Sequence, residues 1–265
     1  MASYPEGQTG LFRRTYGIVM ALAIDAGAQW AESHPRMSSI LADPTNAVLV
    51  RSSKPSMVDT LTYLEDTRVD RFQTLATLPS EPALLSLEIK GRRNRSIRAR
   101  LRWGVRPPAV LGPADTTVAL SDLVLFRLDS AGALPADLDG VLPRMLGTTS
   151  ISSERKIGLF WETYGVQPGD TTQVSVSVVT MDGGLLRRMG SALRIVSASV
   201  DKIAIAWQEQ RHTATSTPAA REVPISPASL SLDLSGLPRG RYSVSVKVGT
   251  RRGVSATAQR VLVLQ

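Results

Sequence analysis

Between Lys90 and Arg106 the chain carries eight cations and no acid: Lys90, Arg92, Arg93, Arg95, Arg98, Arg100, Arg102 and Arg106. The chemistry open to such a run is capture of an anionic surface, whether lipid headgroups, nucleic acid or an acidic protein face. The spacing narrows that choice. Arg98, Arg100 and Arg102 recur at every second residue, with Ile97, Ala99, Leu101 and Trp103 between them. Period-two alternation predicts a strand with one apolar face and one arginine face. A helix would scatter the same arginines around its circumference. Nucleic acid is the poorer partner, because single-strand binders interleave cations with stacking aromatics. The one aromatic in this run, Trp103, has the parity of the apolar face. Arg92, Arg93, Arg95, Arg98, Arg100 and Arg102 are therefore the candidate contacts to an acidic protein or an anionic membrane surface. The plain alternative is a solvated face that keeps a sheet soluble.

Covalent and metal chemistry find little footing. Cysteine is absent, so no disulfide, thiolate nucleophile or thiolate ligand exists. Histidine is confined to His34 and His212, with no metal-binding spacing. Ser153 and Lys156 fit an S-x-x-K pattern, but its companion motifs are missing, as is a G-x-S-x-G elbow. No phosphate-cradling glycine loop occurs. Asp129, Asp137 and Asp139 match no calcium-loop spacing and read as turn acids. The sequence thus assigns no catalytic residue, no metal and no cofactor, and the expectation is a protein that is not an enzyme.

The elements that must position the arginines come from the rest of the pattern. The chain has 265 residues, 43% of them hydrophobic, which allows a substantial core. Only 5% are aromatic, so that core must be built from Val, Leu, Ile and Ala. The net charge of +8 favours anionic partners. No run approaches the ~20 apolar residues of a membrane-spanning helix. "GIVMALAIDAGAQWA", 17 to 31, superficially resembles a signal peptide, but Asp25 breaks its apolar run, and it reads as a core strand.

Short alternating segments separated by Gly, Pro, Asn and Asp recur throughout. In the first half they are "RTYGIVMALAIDA", "NAVLVRSS", "VDTLTYLED", "RVDRFQTLATL", "PALLSLEIKG" and "RSIRARLRWGV". The last two form a hairpin joined at "GRRN". In the second half they are "TTVALSDLVLFRLD", "IGLFWETYGV", "TTQVSVSVVTM", "DKIAIAWQEQR", "SLSLDLSGL" and a closing hairpin that turns at "GTRRG". A long loop without period spans 132 to 156, and one short helix candidate covers 183 to 193. This predicts an all-β chain of two tandem immunoglobulin-like sandwiches. The first covers 1–108 and carries the basic strand, 109–116 form a proline-rich linker, and the second covers 117–265. Phe160 and Trp161 fall on opposite faces of one strand, which reads first as a central sandwich strand covered on both faces and, as the alternative, as an interface there.

Three motifs in order resemble the β-sandwich modules that end bacterial GWxTD-domain proteins. They are "VALSDLVLF" at 118, "GLFWETYGV" with its "PGD" turn at 158, and "LDLSGLPRGRYSVSVKV" at 232. The GWxTD motif and its domain are missing, so the resemblance implies a fold and a bacterial, often envelope-associated setting, and no catalytic residue. The functional expectation is an interaction or structural protein, an accessory subunit docked on a larger bacterial assembly. By association alone, a membrane complex such as a photosynthetic reaction centre is one such setting. Its partners would be other protein subunits, peripheral to the inner membrane or in the periplasm. The alternative is a ligand- or carbohydrate-binding sandwich with its site in the loops.

Overall fold

The computed structural model describes residues 7–14, 17–25, 45–52, 60–67, 71–78, 83–91, 98–105, 118–130, 132–152, 155–166, 169–181, 202–210, 224–251 and 253–265. The chain divides into two compact units. One is Met1–Val110 with Met145–Thr148, the other Leu111–Arg144 with Thr149–Gln265.

In the first unit the strands are β1 (Gly7–Arg14), β2 (Gly17–Asp25), β3 (Thr45–Ser52), β4 (Thr60–Thr67), β5 (Arg71–Leu78), β6 (Ala83–Gly91) and β7 (Arg98–Val105). They form two antiparallel sheets, ordered β1-β2-β5 and β4-β3-β6-β7. Along β1, Gln8, Gly10 and Phe12 are buried while Leu11 and Arg13 are partly exposed. This is the alternation of a strand with one inner face. Ala21 of β2 lies opposite Gly10 and is fully buried. The buried Gln8 amide donates to the Leu146 carbonyl of the same unit, which satisfies a polar group that would be costly to leave alone. The single strand expected over 14–26 is instead the second arm of a hairpin, in which Arg14 pairs with Gly17. Gly7 and Gly10 have low strand propensity and masked the first arm.

The second unit holds β8 (Ala119–Leu120), β9 (Val124–Phe126), a short helix α1 (Leu138–Val141) and a 3-10 turn at Leu142–Arg144. These are followed by β10 (Ser150–Ile151), β11 (Lys156–Tyr164), β12 (Thr171–Thr180), β13 (Lys202–Gln210), β14 (Ile225–Asp233), β15 (Gly240–Thr250) and β16 (Ser255–Leu264). One sheet runs β10-β16-β15-β12-β13; in the other, β11 pairs with β14 on one side and with β8 and β9 on the other. Inner rows of both sheets are sealed: Val174, Val176 and Val178 of β12, Val244, Val246 and Val248 of β15, and Ile157, Leu159 and Trp161 of β11 are all 3% exposed or less. Burying each such side chain contributes about 1.5–3 kcal/mol. The Tyr242 hydroxyl donates to the Pro238 carbonyl at 2.8 Å. That bond, four residues back at the entry to β15, is the tyrosine corner of immunoglobulin-like sandwiches. The closing hairpin turns at Thr250–Val254, with Gly253 at φ 81° and its amide on the Thr250 carbonyl.

The expected strand "TTVALSDLVLFRLD" is interrupted at Ser121–Leu123, between β8 and β9. Ser121 explains the break. Its amide donates to the Glu162 carbonyl at 2.9 Å, and its Oγ accepts the Glu162 amide at 2.8 Å. A side chain thus takes over one rung of the ladder and no buried backbone group is lost.

The two units share one strand plan. In each, the first, second and fifth strands make one sheet and the fourth, third, sixth and seventh the other, with β8 and β9 together as the first strand of the second unit and β10 set aside. Both are immunoglobulin-like Greek-key arrangements, and the chain is all-β.

Candidate functional site

The arginine row lies at the end of its sheet. β7 pairs antiparallel with β6 and is the last strand in the order β4-β3-β6-β7. The register sets Arg98 opposite Lys90, Arg100 opposite Glu88 and Arg102 opposite Ser86. On the alternate positions Ala99, Leu101 and Trp103 lie opposite Ile89, Leu87 and Leu85. Backbone alternation therefore gives this edge one basic row and one apolar row. Arg92, Arg93 and Arg95 lie outside the described residues.

The register also introduces a residue that a scan from Lys90 onward passes over. In the register Glu88 is the cross-strand partner of Arg100 and so falls in the same row. Across the two strands the row keeps four cations against one acid, a net of three positive charges.

The matching edge of the second unit is treated differently. There the seventh strand, β16, is covered by β10, which pairs with it in parallel at Val263 and Leu264. The Val263 amide donates to Thr149 and the Gln265 amide to Ile151. Among the described residues no strand covers β7 in this way. Charged side chains are one of the standard devices that protect an uncovered edge.

Phe160 and Trp161 are not at the surface. They are 0% and 1% exposed within the folded chain, so neither presents aromatic area to a partner. The cause is the position of β11 between β14 and β8/β9 with cover on both faces. Trp161 belongs to the inner row. On the other face Phe126 packs over Gly158, and the long loop crosses at Ser229, the cross-strand partner of Phe160, where Ser229 Oγ donates to the Pro135 carbonyl at 2.6 Å. Glu162 on that face is 3% exposed and accepts a 2.8 Å bond from the Tyr164 hydroxyl.

The loop acids have local partners. Asp129 pairs with Arg144 at 2.9 Å and accepts the Ala133 amide. Asp137 caps α1 by accepting the Gly140 amide at 2.8 Å, so part of the loop read as aperiodic is a capped helical turn. No group of three or more metal-ligating side chains forms among the described residues. His34, His212, Ser153 and the helix candidate at 183–193 lie outside them. Between the sheets of the second unit a small cleft of about 20 Å³, room for about one water molecule and partly open to solvent, is lined by Trp161, Thr163, Thr172, Glu209 and Ser226 among others. Its one aromatic is the buried Trp161, so it has no exposed ring on which a sugar could stack. Among the described residues no helix is long and apolar enough to cross a membrane.

No family model matches the chain, and no curated protein matches it. Among solved structures it is similar to a tetra-tandem repeat from the extending region of a large adhesion protein, at 11% identity and a TM-score of 0.25 over 93% of this chain and 45% of that one. It is also similar to red sea bream transglutaminase, at 8% identity and a TM-score of 0.26 over 99% of this chain and 32% of that one. A 1.5-MDa bacterial ice-binding adhesin matches at 8% identity and a TM-score of 0.23, over 95% of this chain and 59% of that one. The chain thus spans about a third to three-fifths of these structures. Likenesses this distant carry no functional argument, and the fold rests on the strand order.

Proposed function

We propose that this chain is a non-enzymatic interaction subunit that docks on a larger bacterial assembly through the basic edge of its first unit. The observation that supports this most is the arginine row on β7, at the one edge position that its sister unit covers with a strand. The three motifs shared in style with the terminal modules of GWxTD-domain proteins favour a bacterial, envelope-associated setting. The surface recognised is acidic: a protein face rich in Asp and Glu, or the anionic headgroups of a membrane. A cation near such a membrane contributes about 1 kcal/mol. Loss of Arg98, Arg100 and Arg102 together therefore weakens docking by about 3 kcal/mol, or roughly 100-fold.

The test is recovery of the tagged full chain from its host under mild conditions, at low and at high salt, beside the triple variant Arg98→Ser, Arg100→Ser, Arg102→Ser. Co-purification at fixed stoichiometry that is released by salt and lost in the variant supports the reading. A stable partner retained equally by the variant places the docking surface elsewhere.

A further inference from the structure

The second unit has an edge with the opposite character. β13 ends the sheet order β10-β16-β15-β12-β13 and pairs only with β12 among the described residues. Its sequence, KIAIAWQEQ, contains no proline, and no charge lies between Lys202 and Glu209. Ile203, Ile205 and Trp207 stand opposite Val178, Val176 and Val174. Those valines are 3% exposed or less, yet Ile205 is 42% exposed and Ala204 and Ala206 are exposed as well. The sheet that ends at β13 has five strands, and the opposing sheet has β14, β11 and, at its other side, β8 and β9. An apolar strand edge with no partner strand among the described residues is a template for another strand.

We propose that β13 pairs antiparallel with β13 of a second copy of this chain, about a two-fold axis through Ile205. The strand is its own complement in that register. Ile205 meets its counterpart, Ile203 meets Trp207 in both directions, and Ala204 meets Ala206, so each apolar residue of the row gains an apolar partner. The axis centred on Ala206 would set Ile203 against Glu209. Parallel self-pairing would set Lys202 against Lys202 and Glu209 against Glu209. A two-fold contact of this kind closes on itself, so it yields a dimer with one continuous sheet and no growing fibre. Both copies lose the exposed edge, and the first unit's basic row is doubled in the assembly.

The absence of native cysteine makes the register directly readable. Directly opposed residues have Cβ atoms about 4.5–5.5 Å apart, close to the span of a disulfide. On mild oxidation Ile205→Cys is expected to form a covalent dimer, while Gln208→Cys, about six residues from its own counterpart by the same pairing, stays monomeric. Ile205→Lys, which adds a charge at an already exposed position, is expected to shift the sedimenting species from dimer to monomer with the β-sheet circular dichroism of the folded chain kept. A wild-type chain that sediments as a monomer at its highest soluble concentration overturns the proposal. So does cross-linking at Ile205→Cys that is no greater than at Gln208→Cys. Dominant cross-linking at Ala206→Cys overturns the register.

Discussion

Replacing Gly158 with alanine probes the second unit where its packing is tightest. A Cβ at this position would overlap Cζ, Cε1 and Cε2 of Phe126. Carbon atoms rest at about 3.5–4.0 Å, so ring or strand must shift. Neither moves easily: Phe126 is 0% exposed, and Gly158 lies in β11 with Phe126 as its cross-strand partner. Overpacking of a close-fitted core costs about 1–3 kcal/mol. Against this, alanine in a strand gains about 0.5–1 kcal/mol over glycine. The net expectation is destabilisation by about 1–2 kcal/mol, or roughly 2–8 °C in melting temperature for a unit of this size. The decisive control is Phe126→Leu, which removes the ring atoms that overlap. In that background Gly158→Ala should be neutral or slightly stabilising, so the coupling in the double-mutant cycle should be about 2 kcal/mol. Urea unfolding, with amide exchange in β11 to assign the transition, measures all four corners. Coupling below about 0.5 kcal/mol would refute the claim that the ring dictates glycine here.

Further consequences can be checked independently. Tyr242→Phe deletes the bond to the Pro238 carbonyl and is expected to destabilise the second unit by about 1 kcal/mol in the same unfolding assay, with the fold kept. The Asp233 carboxyl is held below its ordinary range first by the Ser235 hydroxyl at 2.5 Å and the Ser235 amide at 3.0 Å, and also by Lys156, against some desolvation. A carboxyl lowered in the folded state contributes stability above its unfolded pKa that is lost as pH falls through the folded one. Ser235→Ala should therefore raise the Asp233 midpoint in an NMR titration, and an unchanged midpoint would contradict this cause. Glu88→Gln removes the acid opposite Arg100 and is expected to tighten binding to anionic vesicles about fivefold, an effect of about 1 kcal/mol.

The parts of the fold legible in the sequence are those in which one face alone decides burial. β12 and β15 alternate valine with serine, and the structure buries the valines. β7 alternates arginine with apolar residues, and its register carries the same two rows. Legibility ends where a residue answers to something remote in sequence. Gly158 weakens a strand pattern until the ring of Phe126, 32 positions earlier, explains it. Ser121 reads as one polar residue in an apolar run until its bonds to Glu162 divide that run into two strands. Phe160 and Trp161 share a strand covered on both faces, and such a strand has no single inner parity. The aromatic pair therefore read as core with an interface as the alternative, and burial on both faces decides for core. Glu88 was invisible as part of the basic row because only the β6–β7 register brings it opposite Arg100.

The measurement that tests the docking account most directly is a salt titration of the chain's binding to its native assembly, with the triple Arg98→Ser, Arg100→Ser, Arg102→Ser variant and a triple lysine variant alongside. The account predicts that affinity falls steeply with salt for the wild-type chain, that the lysine variant retains most of it, and that the serine variant loses about 100-fold at low salt and little more as salt rises. Equal affinity and an equal salt slope for the serine variant would show that the arginine row of β7 is a solvated edge and docks nothing.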